Sequence, residues 1–532
     1  MTDTVSAAAL KQMLLDDDEL ALLDVREEGV FAHTHLLYAC LLPLSRLELR
    51  IADLVPRRSV RIVLCDGGEG HADKAAARLR QFGYRDVSIL GGGINSWKDA
   101  GYELFNGVNV PSKAFGEFIE HEYHTPSISA DELKAKLDAG EDLVVLDSRP
   151  AEEYEAMSIP AAICVPGAEL VYRVRDIAPS PDTLVVVNCA GRTRSIIGAQ
   201  SLINAATPNP VAALRNGTMG WHLGGYELEH GMDRHAPEVA PDRLISAQAA
   251  AAKVGEHFGV EHIDAATLDS WSSESNERSL YMLDVRNPEE YEAGHLPGSI
   301  SAPGGQLVQA TDRYVGTLRA RLVLIDDTGI RATMTASWLK QMGSADVAVL
   351  DNGLTNHDLE KGPRAVPVLG FDDVDVDKVS PQALIQLSAG GVTVIDLSSS
   401  RNYYKRHIPD SWFALRSRLA TALAKLPAAP LLVLTSEDGV LARLAAPEAA
   451  ALSATPVKVL DGGNAAWAAA GLALAQGFEN MASDADDVWL RPYDRDAGTD
   501  DAMQQYLSWE VGLVQQIEHD GTARFRPSKP FQ

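Results

Sequence analysis

Leu184-Val185-Val186-Val187-Asn188-Cys189-Ala190-Gly191-Arg192-Thr193-Arg194-Ser195-Ile196-Ile197-Gly198-Ala199-Gln200-Ser201-Leu202 sets two patterns back to back. The apolar, β-branched run 184–187 reads as a short strand buried on both faces. From Ser195 onward, Ile196, Ile197, Ala199 and Leu202 recur at helical spacing. Between them lies a tight loop with a cysteine at its mouth. This order puts Cys189 at the carboxyl end of a strand and before a helix N-terminus, where free N–H groups and the positive dipole end favour an anion. Arg192 and Arg194 add fixed positive charge, so the thiol is expected to ionise below its ordinary range and act as a nucleophile.

Working outward, the same grammar recurs. A strand ending Leu-Asp-x-Arg appears at Leu23-Asp24-Val25-Arg26, Leu146-Asp147-Ser148-Arg149 and Leu283-Asp284-Val285-Arg286, with a worn copy at Ile395-Asp396-Leu397-Ser398. A His-apolar-Pro element follows, whole at His295-Leu296-Pro297 and His407-Ile408-Pro409 and partial at His35 and at Ile159-Pro160. A second strand then leads to a loop and helix. Each unit closes on a strand and a turn: Leu90-Gly91-Gly92-Gly93, Leu214-Arg215-Asn216-Gly217, Leu350-Asp351-Asn352-Gly353 and Leu460-Asp461-Gly462-Gly463. The four aspartates at 24, 147, 284 and 396 are 123, 137 and 112 residues apart, one domain per step. Alternating strands and helices predict a wound parallel α/β sheet in each domain. The predicted domains are 5–107, 125–232, 260–362 and 376–478, followed by a tail, 484–532, that docks a helix on the body. In that helix Met503, Leu507, Val511 and Val514 recur at helical spacing, with Trp489 and Trp509 as anchors. The Pro-rich junction 236–241 and the Ala-rich helix 246–258 mark the expected seam between two tandem halves.

Composition narrows the function. The 532 residues carry 47 Lys+Arg against 74 Asp+Glu, a net charge of −27, which disfavours nucleic acid and anionic membranes as partners. No apolar run approaches the ~20 residues of a membrane span. Four cysteines (Cys40, Cys65, Cys164, Cys189) in so long a chain make no disulfide framework, and the expected location is cytoplasmic. No cofactor or metal ligand set is called for; His33 and His35 lack metal-site company.

Taken together, Asp-x-Arg, His-apolar-Pro, strand–Cys–loop–helix and the Gly-rich turn with a following Trp (Trp97, Trp221, Trp467) resemble the rhodanese (sulfurtransferase) family. The resemblance covers four tandem domains. It implies five-stranded parallel sheets with helices on both faces, and transfer of a sulfane sulfur through a cysteine persulfide. Short-type rhodaneses carry Cys, four residues, then Arg, as Cys189 and Arg194 do; related phosphatases carry five, which would place their arginine at Ser195. The resemblance implies that Cys189 attacks a donor such as thiosulfate, with the loop Ala190, Gly191, Arg192, Thr193, Arg194 and Ser195 as substrate cradle. The Arg192/Arg194 pair would take the departing oxyanion, and the sulfur would pass to cyanide, a thiol or a sulfur-carrier protein.

The other loops differ. Cys65, in Cys65-Asp66-Gly67-Gly68-Glu69-Gly70-His71, is read at the Cys189 position as a second catalytic site or relay station, burdened by acidic neighbours that raise its thiol pKa. Asp326 takes the cysteine position of the third domain and Thr435 that of the fourth, so both are expected to be inert, structural or substrate-gating. Cys40 and Cys164 differ by one position relative to Pro43 and Pro166, and are expected on opposite faces of their strands. The Asp-x-Arg pairs read as structural. Tyr154 and Trp221 read equally as pocket walls or core. The competing readings are a non-catalytic sensor or scaffold of rhodanese-like modules and, behind it, a cysteine phosphatase or arsenate reductase.

Overall fold

The central strand Leu184–Asn188 lies in the middle of its sheet, with Val185 to Val187 fully buried. In this computed structural model, which describes residues 3–355, 358–388 and 390–527, that sheet has five parallel strands. Their order is Ser127–Ile128, Val211–Leu214, Leu184–Asn188, Leu143–Asp147 and Ile163–Cys164. The other three domains repeat the order, first-fifth-fourth-second-third along the chain, and every pairing is parallel. Residues 356–357, 389 and 528–532, within the predicted third and fourth domains and the tail, lie outside the described residues. No helix among the described residues is long and apolar enough to cross a membrane.

Each Asp-x-Arg is a buried pair closing the second strand. Arg149 donates to Asp147 at 2.7 and 2.9 Å, and its Nη2 also donates to the Met157 carbonyl at 2.7 Å. Arg26 and Arg286 reach Thr34 O and Gly294 O in the same way. The pair therefore fixes the following turn to the strand end. The His-apolar-Pro histidines stack on aromatic rings one helical turn earlier: His35 on Phe31 at 4.0 Å, His295 on Tyr291 at 3.8 Å and His407 on Tyr403 at 3.9 Å. Burial pulls His35 down to about 4, as suits a neutral packing residue. Tyr154 and Trp221 are core residues of the second domain: each is fully enclosed and donates to a backbone carbonyl. Cys40 and Cys164 do sit on opposite faces, because Cys40 pairs with Leu23 while Cys164 pairs with Asp147.

Two expectations change. The chain does not divide into halves at 236–258. The helix there, Pro241–Phe258, buries Ala247, Ala250 and Val254 in one core with Val185 and Val187 of the second domain and Ile330 and Met334 of the third. The second domain thus pairs with the third, and the first pairs with the fourth, where Arg416 bonds Glu48 at 2.8 and 2.9 Å in a buried contact. The second change is a linker helix between the predicted first and second domains, Val110–Tyr123, which lies against the loop helix Thr193–Asn204 and the C-terminal helix Thr499–Asp520. The buried stripe of that last helix is Met503, Leu507, Glu510, Leu513 and Ile517, while Val511 faces outward.

Removing the guanidinium of a buried pair strands its carboxylate. Arg149→Ala is expected to cost about 3–5 kcal/mol, read as a lower urea midpoint, whereas an exposed pair such as Lys134–Asp138 is worth less than ~1 kcal/mol in the same measurement.

Candidate active site

Strand register locates the functional position in each domain. Asp147 pairs with Asn188, so Cys189 is the first residue past the central strand. The equivalent pairs are Asp24 with Cys65, Asp284 with Ile325 and Asp396 with Thr435. The residues matching Cys189 are therefore Asp66, Asp326 and Ser436. Cys65 matches Asn188, and this corrects its placement: it is the last residue of its strand, fully buried in a hydrophobic cluster with Leu20, Val63 and Trp97. Burial, and after it the Asp24 carboxylate, drives its thiol far above the ordinary range. Thr435 likewise bonds Asn464 inside its domain, one residue short of the loop position held by Ser436.

What the loop amides do is visible in the sister domains. Asp326 accepts from the amides of Gly329 at 2.7 Å, Arg331 at 2.9 Å and Ala332 at 3.3 Å. Asp66 accepts from Gly68 at 2.9 Å and Ala72 at 3.0 Å. By position these donors correspond to Gly191, Arg192, Arg194 and Ser195. In the second domain those amides donate to no side chain among the described residues, and the loop holds a thiol where its sisters hold a carboxylate. The cradle is thus built for an anion, at the opening of a helix. Cys189 Sγ lies 3.5 Å from Ser195 Oγ, whose own hydroxyl donates to the Arg192 carbonyl at 2.8 Å. The loop is pinned from behind by Thr218 N to Cys189 O at 2.8 Å and Met219 N to Ala190 O at 2.9 Å. Gly217, at φ +54°, makes that approach possible: a Cβ there would stand 2.2 Å from Cys189 O.

Cys189 is 2% exposed, at the floor of a cleft of about 700 Å³. All four domains and the tail wall this cleft, with Glu28, Gln306, Arg401 and Tyr493 among the contributors. Loop residues 190 to 194 line it as well. The two arginines serve different ends. Arg192 gives Nε and Nη2 to Glu117 at 2.7 and 2.8 Å, Nη2 also to Glu120, and Nη1 to Asn216 at 3.2 Å. Its charge is spent on the linker helix, which corrects its reading as an oxyanion binder. Arg194 bonds Glu153 at 2.8 Å and Gln306 of the third domain at 3.0 Å. Burial raises the Glu153 carboxyl, but Arg194, Arg491 and Arg149 pull it down to about 2. Thr193 is buried against Gly116 of the linker helix.

The third domain shows Arg194's counterpart in another state. Arg331 faces Glu169, Glu290 and Asp327, each at 2.6 Å. Glu290 corresponds to Glu153 and Glu169 to Gln306. Arg194 therefore meets one carboxylate and an amide where Arg331 meets three carboxylates, and it keeps more of its field for the cleft. Three further residues come from outside the domain. Lys113 of the linker helix and Tyr506 and Glu510 of the C-terminal helix gather beside Gly191.

The rhodanese-like domain model matches residues 6–100, 129–223, 264–358 and 380–470. The chain belongs to the rhodanese family. Its structure is similar to the crystal structure of a thiosulfate sulfurtransferase from Pseudomonas aeruginosa, with a TM-score of 0.96 and 51% identity over 98% of this chain and 99% of that one. A sulfurtransferase of Allochromatium vinosum is 30% identical over 104 residues, 20% of this rhodanese chain and 95% of the relative. The HTH-type transcriptional regulator Rv0324 of Mycobacterium tuberculosis is 32% identical over 105 residues, which are 20% of this chain and 45% of the regulator.

Gly217→Ala drives a methyl into the Cys189 carbonyl at a positive φ. It is expected to destabilise the chain by on the order of 3 kcal/mol, seen in thermal melting, and to lower the reactivity of Cys189 toward an alkylating agent.

Proposed function

We propose that this rhodanese moves sulfane sulfur through Cys189 alone. The observation that carries the reading is the contrast between loops: Asp66 and Asp326 fill their amide cradles with a carboxylate, while the Cys189 cradle keeps its amides for a bound anion. Whole-length likeness to a thiosulfate sulfurtransferase supports thiosulfate as donor.

The thiolate of Cys189 attacks the outer sulfur of thiosulfate. A Cys189 Sγ–S bond forms as the thiosulfate S–S bond breaks, and sulfite leaves with the electron pair. Arg194 faces the negative charge of the donor and leaving group. The loop amides hold the terminal sulfur of the persulfide as an anion, the electrostatic stabilisation the sister carboxylates display. A nucleophilic acceptor then takes that sulfur and returns Cys189 to the thiolate. The depth of Cys189 under the tail favours a small acceptor over a folded carrier protein. The first, third and fourth domains act as walls, with Cys65 a core residue rather than a relay.

Intact mass and peptide mapping after thiosulfate treatment test this. The wild type and Cys65→Ser are expected to gain one sulfur on the Cys189 peptide, and Cys189→Ser none. A gain that survives in Cys189→Ser overturns the reading, as does no gain in the wild type. Gln306→Glu gives Arg194 a second carboxylate, a step toward the surroundings of Arg331, and is expected to slow loading by thiosulfate on the order of ten-fold, the effect of one added charge near the cleft.

A further inference from the structure

Lys113, Tyr506 and Glu510 form a buried cluster that no rhodanese-like domain of this chain supplies. Lys113 and Glu510 are 3% and 2% exposed, and their side chains lie 3.5 Å apart. Lys113 Nζ donates to Tyr506 Oη and stands 4.5 Å from the centre of the Tyr506 ring. Burial and then the Glu510 carboxylate push the Tyr506 phenol far above its ordinary range. Burial lowers Lys113, opposed by Glu510 first and also by Cys189, so the cluster shares the field of the reacting sulfur.

One atom here has no structural employment. Glu510 Oε1 faces Lys113, but Oε2 is buried with no hydrogen-bond partner. An orphaned carboxylate oxygen in the interior is costly unless something occupies its lone pairs. It points at the cradle: a Cβ on Gly191 would lie 3.2 Å from Glu510 Oε2, and Gly191 is one of the positions whose sister amide holds an anion. Glu510 lines the same cleft as Cys189. An acceptor reaching the terminal sulfur of a Cys189 persulfide enters a cleft that this residue helps to wall.

We propose that Glu510 is the general base of the acceptor half-reaction and that the acceptor is a small thiol that binds protonated. The step rests on the Cys189 persulfide proposed above. Glu510 Oε2 takes the proton of the acceptor S–H as its sulfur attacks the terminal sulfur of the persulfide. The acceptor S–S bond forms, the Cys189 Sγ–S bond breaks, and its electron pair returns to Sγ as thiolate. The acceptor leaves as a persulfide anion, and Glu510 releases its proton to water in the cleft. Lys113, which faces Oε1, is a positioning residue, and Tyr506 positions Lys113 in turn.

The test uses the full chain loaded with thiosulfate and followed through a single turnover. In Glu510→Gln, intact mass is expected to show the same gain of one sulfur on Cys189, no slower than in the wild type, because a negative charge is removed beside the cradle. Discharge to dithiothreitol, mostly protonated at neutral pH, is expected to fall ~10²-fold or more, the usual contribution of a general base. Discharge to an arenethiol already ionised at that pH is expected to change less than about three-fold, since no proton remains to be taken. Glu510→Asp recovers part of the lost rate. Equal slowing of both thiols overturns the assignment of a base, as does no slowing of either. Failure to load in the wild type defeats the Cys189 persulfide itself, a separate result. Matching melting temperatures of wild type and Glu510→Gln establish that the fold is intact; if they differ, the comparison is made with Glu510→Asp, which must show the same selective loss in smaller degree.

Discussion

Four times along this chain a parallel strand ends against the opening of a helix, and the first side chain past the strand faces backbone amides that need an anion. That electrostatic demand must be met, because unpaired N–H groups in the interior are expensive. Asp326 meets it with a carboxylate that accepts three amides, and Asp66 with one that accepts two. Ser436 meets it weakly, its hydroxyl accepting from Ala442 at 3.3 Å. Cys189 brings neither a carboxylate nor a hydroxyl to meet it. One physical constraint is therefore met inside three loops and left open in the fourth, without any change of fold.

The same logic explains why sealed domains are kept. A cradle for a charged intermediate works best away from water, where electrostatic stabilisation is strong. The second domain does not roof its own loop. Here the roof comes from the pairing of the second domain with the third and the first with the fourth, closed by the linker helix and the tail. Glu117 and Glu120 hold Arg192, and Gln306 reaches Arg194 across the domain interface. The neighbours fix the geometry and the charge balance around a cysteine that they do not carry.

Much of this was legible before any coordinates. The repeated Asp-x-Arg strand end, the His-apolar-Pro turn and the Gly-rich turn specify four copies of one sheet, because each answers a local need: a buried ion pair, a ring stack, a glycine under a carbonyl. Cys65 misleads because its residue type matches Cys189 where its spacing does not. Cys189 follows Asp147 by 42 residues (189 − 147) and Asp326 follows Asp284 by 42 (326 − 284), but Cys65 follows Asp24 by 41 (65 − 24). Position 66 completes the pattern, and one residue of slip on a strand sends a side chain to the opposite face. The tandem-halves reading failed differently, since no sequence pattern states which of four similar surfaces pair.

Lys113 and Glu510 were illegible for a reason of the same kind. On an amphipathic helix a charged residue ordinarily marks the solvent face. Glu510 instead occupies the buried stripe of the C-terminal helix between Leu507 and Leu513, and Lys113 sits beside the buried Ala114 and Phe115. Each charge is out of place on its own helix and acquires a partner only when residues 397 positions apart (510 − 113) meet over Gly191. Burying that pair costs desolvation that its own attraction does not return in full, and Glu510 Oε2 remains unpaired even then. A stable apolar contact in its place would seal the tail more firmly. Its place beside the Cys189 loop ties the tail to the cleft rather than to packing alone.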